Sequence, residues 1–341
     1  MTLLENNSGI TESKKSNYNS IDLFKFLCAF LVFAIHIQPF PAEAIAYAGY
    51  LNILTQKYIC RLAVPFYFTA SGFFLFRKTN TDKIDFSVIK NYCFKILCLY
   101  GIWSIISYSM STGHLWYLKA LVVATLIVGL LIKYRVKFKY ITIFAVVLYI
   151  IGLSGDSYYQ IIKSIGENNF LGFLVEQYDA LFENTRNGLF MGVIFVFIGA
   201  AFSQKKISIK TIYSVSGFLV SMVLLLAEVY LVEHYELSKD TNMYIFLVPA
   251  TVFLFDLLLK IKLKDRKIYP QLRVIGMIIY YSHIMVREFV NHIFTNIEYY
   301  FRVDFSKFLF IITLFFVVIL AVFVERISHK ENFKWLQHIY K

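Results

Sequence analysis

The sequence predicts an all-α polytopic membrane protein of about ten transmembrane helices, with both termini cytoplasmic. Three observations predict it. The 341 residues are 58% hydrophobic and only 16% charged, against about 25% charged in soluble domains. The apolar residues gather in runs long enough to cross a bilayer. The lysines and arginines collect in every second segment between those runs. A soluble enzyme of this size could not bury so much apolar surface, so the first partner is the lipid bilayer. The net charge of +12 is divided among many short segments instead of forming one patch, which excludes a nucleic-acid partner.

Residues 1–20 form a polar cytoplasmic tail with Lys14 and Lys15. The first apolar run, 21–39, is too long and too far from the start for a signal-peptide core, and no small-residue cleavage site follows it, so it reads as a permanent span. A hydrocarbon core of about 30 Å takes about 20 apolar residues per helix. Nine more runs approach that length: 57–76, 88–110, 114–133, 139–153, 187–202, 209–233, 242–262, 275–294 and 306–326. The fifth and sixth are short and flank an acid-bearing segment, 154–186. The membrane domain is thus 21–326, and 327–341 is a cytoplasmic segment.

Charge sets the orientation. With the N-terminus inside, basic residues of the tail, of 77–90, of 133–139, of 205–210, of 260–273 and of 326–341 all face the cytoplasm. They outnumber the outer ones by about four to one. No internal repeat supports an inverted-repeat transporter, and no alternating β segments support a barrel. Cys28, Cys60, Cys93 and Cys98 lie within apolar runs without zinc-ligand spacing, so they read as packing thiols and no metal site is expected.

Charged groups at membrane depth cost about 2.5–3.5 kcal/mol each on insertion scales and are functional candidates by default. Lys25 and His36 on the first span are eleven residues apart. That is about 16 Å along the axis at nearly one angular position, which puts Lys25 near the inner surface and His36 near the outer one. The plainer alternative is a snorkelling lysine and an interfacial histidine. Arg61 opens the second span, where Pro65 is expected to kink the helix and Ser71-Gly72 to allow close approach. His114 and Trp116 begin the fourth span, where an aromatic belt is the competing reading. The ninth span carries Tyr280, His283, Arg287 and Glu288, with His283 and Arg287 on one face. Glu228 lies toward the outside and Asp256 toward the inside, each equally readable as half of a structural ion pair. The outer half could assemble His36, Arg61, His114, His283, Arg287 and Glu288 into one cavity.

At these residues the chain resembles the acyltransferase-3 family of integral membrane proteins. The family's basic residue, ten residues and histidine on the first span look like Lys25 through His36. A second stretch resembles Arg61-Leu62-Ala63-Val64-Pro65-Phe66 through Ser71-Gly72-Phe73. Trp116-Tyr117-Leu118 and Tyr280-Tyr281-Ser282-His283 match two later motifs. The resemblance covers about 21–326, and the four motifs stand in family order. It departs at Lys25, where the family usually has arginine; lysine is a point charge without arginine's two-pronged fork. More narrowly, the chain is similar to the membrane half of the VanT-type serine racemases of vancomycin resistance, in which a cytoplasmic pyridoxal-phosphate racemase follows the membrane domain. This chain reaches Lys341 soon after its last span, so neither racemase activity nor bound pyridoxal phosphate is expected of it, and no cofactor is assigned to it.

The resemblance implies two functions. In the first, the module carries L-serine inward to supply a racemase making D-serine. Arg61 or Arg287 would meet the carboxylate, and Glu288 or Glu228 the ammonium. In the second, it moves an acyl group from cytoplasmic acyl-CoA to an extracytoplasmic hydroxyl. His36 would be the general base, Lys25 would attract the donor's phosphates, and Arg61 would orient donor or acceptor. His114, Trp116, Tyr280 and His283 would complete the substrate site. A bare tether is the third possibility, against which the intramembrane charges argue. The sequence is compatible with a monomer or an oligomer in the bacterial plasma membrane.

Overall fold

The computed structural model describes residues 18–41, 47–77, 85–108, 113–166, 170–182, 184–301 and 306–340. Lys14 and Lys15 of the polar tail lie outside the described residues. Thirteen α-helices follow one another among them. They are α1 (Asn19–His36), α2 (Ala48–Asn52), α3 (Ala63–Phe76), α4 (Phe86–Ile106), α5 (Trp116–Lys133), α6 (Phe138–Ser154) and α7 (Tyr159–Gly166), then α8 (Phe170–Leu181), α9 (Val193–Ser203), α10 (Thr211–His234), α11 (Leu247–Lys260), α12 (Ile268–Phe301) and α13 (Leu309–Ile327). No strand occurs among the described residues.

Six stretches are long and apolar enough to cross a membrane: α1, Ala48–Phe76, α4, Gly113–Lys133, α10 and α13. A seventh arises if α6 and the start of α7, bent by 79°, count as one. The remaining expected runs also fall on helices, but these are short or charged. Gly188–Ser203 is apolar and too short, α11 has 14 residues, and α12 carries Arg273, Arg287 and Glu288.

Close approach builds the interior. α3 and α9 are the most intimate pair: a Cβ at Gly72 would lie 2.2 Å from the Val196 carbonyl oxygen, and one at Gly199 2.0 Å from that of Thr69. Small residues let the two backbones meet, as membrane helices do in the absence of a hydrophobic drive. Phe255 of α11 packs on Phe66, Phe73 and Phe202, with ring centroids 5.7, 5.5 and 5.4 Å away. α1 lies along α12, and α12 along α13.

The irregularity expected of Pro65 lies in the turn before it. The helical run is continuous from Ala48 to Phe76, and a proline at 65 leaves the carbonyl of Arg61, four residues earlier, without its α-helical donor. The uneven backbone precedes it, in a π turn at Ile53–Tyr58 and a 3-10 turn at Ile59–Leu62. Of the four cysteines, Cys28, Cys60 and Cys93 are buried, while Cys98 is exposed.

Candidate functional site

Two ends of the bundle can be named by the residues of α1: the Lys25 end and the His36 end. At the Lys25 end a cavity of about 390 Å³ opens between α1, α3, α4, α5 and α12. Lys25, Lys95 and Arg273 bring three cations to its wall, and Tyr67, Ser71, Tyr92, Tyr117, Tyr280 and Tyr281 bring hydroxyls. The Lys25 ammonium lies 4.3 Å from the centroid of the Phe74 ring, a cation–π contact that steadies a charge away from water. Arg273 also meets Asp22 at 3.3 Å. The Tyr67 hydroxyl donates to the main-chain oxygen of Lys25 at 2.6 Å, tying α3 to α1.

Within the cavity wall three tyrosines form a ring. The centroids of Tyr67, Tyr117 and Tyr280 are 6.0, 6.0 and 6.4 Å apart. The Tyr117 hydroxyl stands 3.4 Å from Ser71 Oγ. Tyr280 reaches across to donate to the His114 carbonyl oxygen at 2.8 Å, so one tyrosine belongs to both the ring and the next layer.

That layer is a group of three histidines. The ring of His283 lies 5.1 Å from that of His36 and 4.9 Å from that of His114, and the last two are 6.3 Å apart. His283 Nδ1 faces the carbonyl oxygens of Tyr280 at 2.8 Å and Ile279 at 3.2 Å. A carbonyl only accepts, so Nδ1 carries the proton and Nε2 is left with a lone pair. That Nε2 is buried and has no hydrogen-bond partner. His114 Nε2 is tied in the same way to the Tyr281 oxygen at 3.2 Å. His114 and His283 are buried, whereas His36 is partly exposed. The chain therefore holds two imidazoles by main-chain carbonyls and sets the third, accessible one against them. Among the described residues no group of three or more His, Cys, Asp or Glu could hold a metal ion.

The other expected site residues have partners within the chain, Arg287 at the histidine group itself and the rest away from it, with Arg61 Nε left buried and unpartnered. Arg61 donates to Asn242 Oδ1 at 2.6 Å and Thr241 Oγ1 at 3.2 Å. Asp156 accepts the N–H groups of Asn242 and Met243 at 2.9 and 3.0 Å, so Arg61 and Asp156 together clamp the turn before α11. Glu228 accepts from Tyr158 at 2.6 Å and from the N–H groups of Ile245 and Phe246 at 2.7 and 3.0 Å. It holds the turn before α11 and does not line the cavity. Arg287 pairs with its neighbour Glu288 and donates to the His36 carbonyl oxygen at 3.2 Å. Asp256 pairs with Lys260 and takes the Ser214 hydroxyl. Trp116 sits beside the Arg186 guanidinium, 5.8 Å from its ring centroid.

Sequence reasoning gave no site role to Tyr67, Tyr92, Lys95, Arg273 or Tyr281, although Tyr67 and Tyr281 lie inside the stretches that carry the family resemblance. Tyr92 and Lys95 are three apart on α4 and share a face, which was a usable signal. Tyr92 stands among many lipid-facing aromatics, and periodicity alone does not separate it from them.

The model of the acyltransferase-3 family, described as an acyltransferase domain, matches residues 18–325. An amino-acid racemase of Enterococcus faecalis is 31% identical over 280 residues, covering 74% of this chain and 37% of its own length. A serine/alanine racemase of Enterococcus gallinarum is 30% identical over 275 residues, covering 70% of this chain and 37% of its own length. The chain spans less than two fifths of the length of these curated relatives. No solved structure matches it.

Proposed function

From the premise that the chain belongs to the acyltransferase-3 family and is a multi-pass membrane protein, we propose that it transfers an acyl group from a thioester donor to a hydroxyl acceptor, with His36 as general base. One observation carries this reading. His36 is the accessible member of a histidine group, and a cation-lined cavity approaches that group from the other end of the bundle. In the proposed orientation both termini are cytoplasmic, ten helical segments cross, and the unit 21–326 lies between the tail and the segment 327–341. The cavity then opens toward the cytoplasm, and His36 lies toward the outside.

The chemistry follows from these positions. Lys25, Lys95 and Arg273 offset the phosphate charge of an acyl-CoA, for which a flexible ammonium is serviceable where two-pronged geometry is not needed. The thioester reaches past the tyrosine ring. His36 takes the proton of the acceptor hydroxyl as its oxygen attacks the thioester carbonyl. The carbon–sulfur bond then breaks, and the imidazolium returns the proton to the departing thiolate. His114 and His283, held in fixed tautomers, orient the His36 ring.

A second reading, inward movement of L-serine to feed a racemase, is favoured by the names of the relatives. It would make this chain a membrane module of a racemase system. A zwitterion needs a carboxylate for its ammonium. Glu228 and Glu288 were the expected ones, but Glu228 is held by three donors and Glu288 by Arg287. This ranks acyl transfer first.

The test is reconstitution of the full chain in liposomes. Acetyl-CoA turnover that disappears in His36→Ala supports acyl transfer. Absence of turnover, together with saturable uptake of labelled L-serine, would replace it with the second reading.

A further inference from the structure

The chain buries an acid at the break between α6 and α7. The two helices are bent by 79° there, and Asp156, within the break, is 1% exposed. Its two oxygens have unlike surroundings. Oδ1 accepts the N–H groups of Asn242 and Met243 at 2.9 and 3.0 Å, and the Ser157 hydroxyl lies 3.1 Å from it. Oδ2 is buried without a hydrogen-bond partner. A carboxylate shares its charge between both oxygens, so an ionised Asp156 leaves charge on an oxygen that nothing solvates. A carboxylic acid does not: its carbonyl oxygen keeps the two N–H donors, and a neutral hydroxyl sits at Oδ2.

The neighbouring charges favour the neutral form. Asp240, across the turn, adds a second negative charge. The hydroxyls of Tyr149 and Tyr244 stand near Asp156, and two further acids, Glu228 and Glu233, act on Tyr244 as well. The cations are directed elsewhere. Arg61 gives its two terminal nitrogens to Asn242 and Thr241, and its Nε bonds to nothing. Arg186 lies 3.8 Å from Asp240, and Lys57 pairs with Glu233. Lys239 meets the Asp156 main-chain oxygen through its N–H at 3.0 Å, while its ammonium lies 5.2 Å from the centroid of the Tyr159 ring.

We propose that Asp156 is a proton-binding site: it carries a proton on Oδ2 in acid, releases it toward neutral pH, and holds the turn 240–244 more firmly in the protonated form. Burial and the Asp240 charge push its pKa up from 3.8 to about 6, against the Met243 and Asn242 N–H groups and the Arg61 charge. The folded protein therefore keeps this proton up to about pH 6, while the unfolded chain loses it near pH 3.8. The stability that the proton adds is complete below pH 3.8 and is lost as the pH rises to about 6.

Arg61 and Arg186 both lie close enough to His36 for their charges to act on it, so the proton site belongs to the His36 end of the bundle. The proposed orientation turns that end outward. Acidity on that side then fastens the turn whose Thr241 and Asn242 hold Arg61. The inference concerns the clamp and does not depend on what the histidine group does, so it stands or falls apart from the acyl-transfer reading.

The experiment compares the full chain in detergent with Asp156→Asn, whose amide keeps an acceptor for the two N–H groups and carries no charge at any pH. On going from about pH 7.5 to about pH 5, the melting midpoint of the unsubstituted chain should rise by about 2–4 °C relative to that of the variant. At the higher pH the variant should be at least as stable. Infrared difference spectra between the two conditions should show the carbonyl band of a protonated carboxyl, and the variant should lack it. If Asp156→Asn does not fold, Asp240→Asn supplies the answer: with that charge removed, the band should vanish at a lower pH than in the unsubstituted chain. A variant less stable at the higher pH, with no acid-dependent gain and no band to lose, would mean that Asp156 works ionised beside Arg61 and would overturn the proton site.

Discussion

The histidine column and the clamp around Arg61 and Glu228 both hold ionisable groups among apolar helices, but they hold them in different ways. In the clamp, Glu228 and Asp156 accept main-chain N–H groups, and Arg61 donates to the side chains of Asn242 and Thr241. In the column, main-chain carbonyls hold one nitrogen of His283 while the other stays buried and unpartnered. A partly exposed His36 stands beside it. Glu228, both of whose oxygens accept main-chain N–H groups, stabilises a turn, while Arg61 Nε and Asp156 Oδ2 of the clamp stay buried without a partner; His283 differs in that its unpartnered nitrogen is a base set beside an accessible imidazole, which makes it available to chemistry. The difference teaches that membrane depth alone does not mark a functional charge, and that its partners do.

The comparison can be broken at either end. The largest expected effect is on the column: His36→Ala should lower acyl-donor turnover about 10²- to 10⁴-fold with an unchanged melting midpoint in detergent. A variant that turns over normally would end the role given to this residue.

Next comes the scaffold shared by both regions, because α3 carries Tyr67 and Ser71 of the column and follows directly on Arg61 of the clamp. Gly199→Val must push main chain away from main chain at Thr69. It should cost about 1–3 kcal/mol or more, seen as a lower melting midpoint and reduced activity together. Loss of activity at full stability would mean that Gly199 acts in the site and not in packing.

Within the clamp, Glu228→Ala leaves two N–H groups and the Tyr158 hydroxyl without their acceptor. A loss of about 1–3 kcal/mol in stability is expected, with turnover per folded molecule retained. If turnover falls and stability does not, Glu228 belongs to the column after all.

The smallest effect is expected for Arg61→Lys, which keeps the charge and loses the two-pronged grip on Asn242 and Thr241. Stability should fall by about 0.5–1.5 kcal/mol and KM should stay constant. A raised KM at constant stability would restore Arg61 to substrate binding.

Much of the column could be read from sequence. Lys25 and His36 share one stripe of α1 because eleven residues make close to three helical turns, and they mark the two ends of the column. His114 and His283 were expected near His36 and do meet it. Arg61, Glu228 and Glu288 were expected to face substrate as well, yet each has its partners inside the chain. Spacing reports the face of one helix; it does not report what lies on the next. The place of Tyr340 in the cavity wall and the bond from Trp103 to the Ile339 oxygen were out of reach for the same reason, since these residues are far apart in sequence and Tyr340 resembles any interfacial tyrosine.

Sequence by itself determined that the chain lives in a bilayer, because the length of an apolar run answers directly to hydrocarbon thickness. It also determined which residues would carry costly charge there, and which family their order resembles. Tertiary structure alone decided which of those charges remain open. Rotation and tilt bring Tyr67, Tyr117 and Tyr280 into one ring and place Tyr340 in the cavity wall. Those angles come from close packing at positions such as Gly72 and Gly199, where contact between two distant backbones sets the geometry and no local pattern records it.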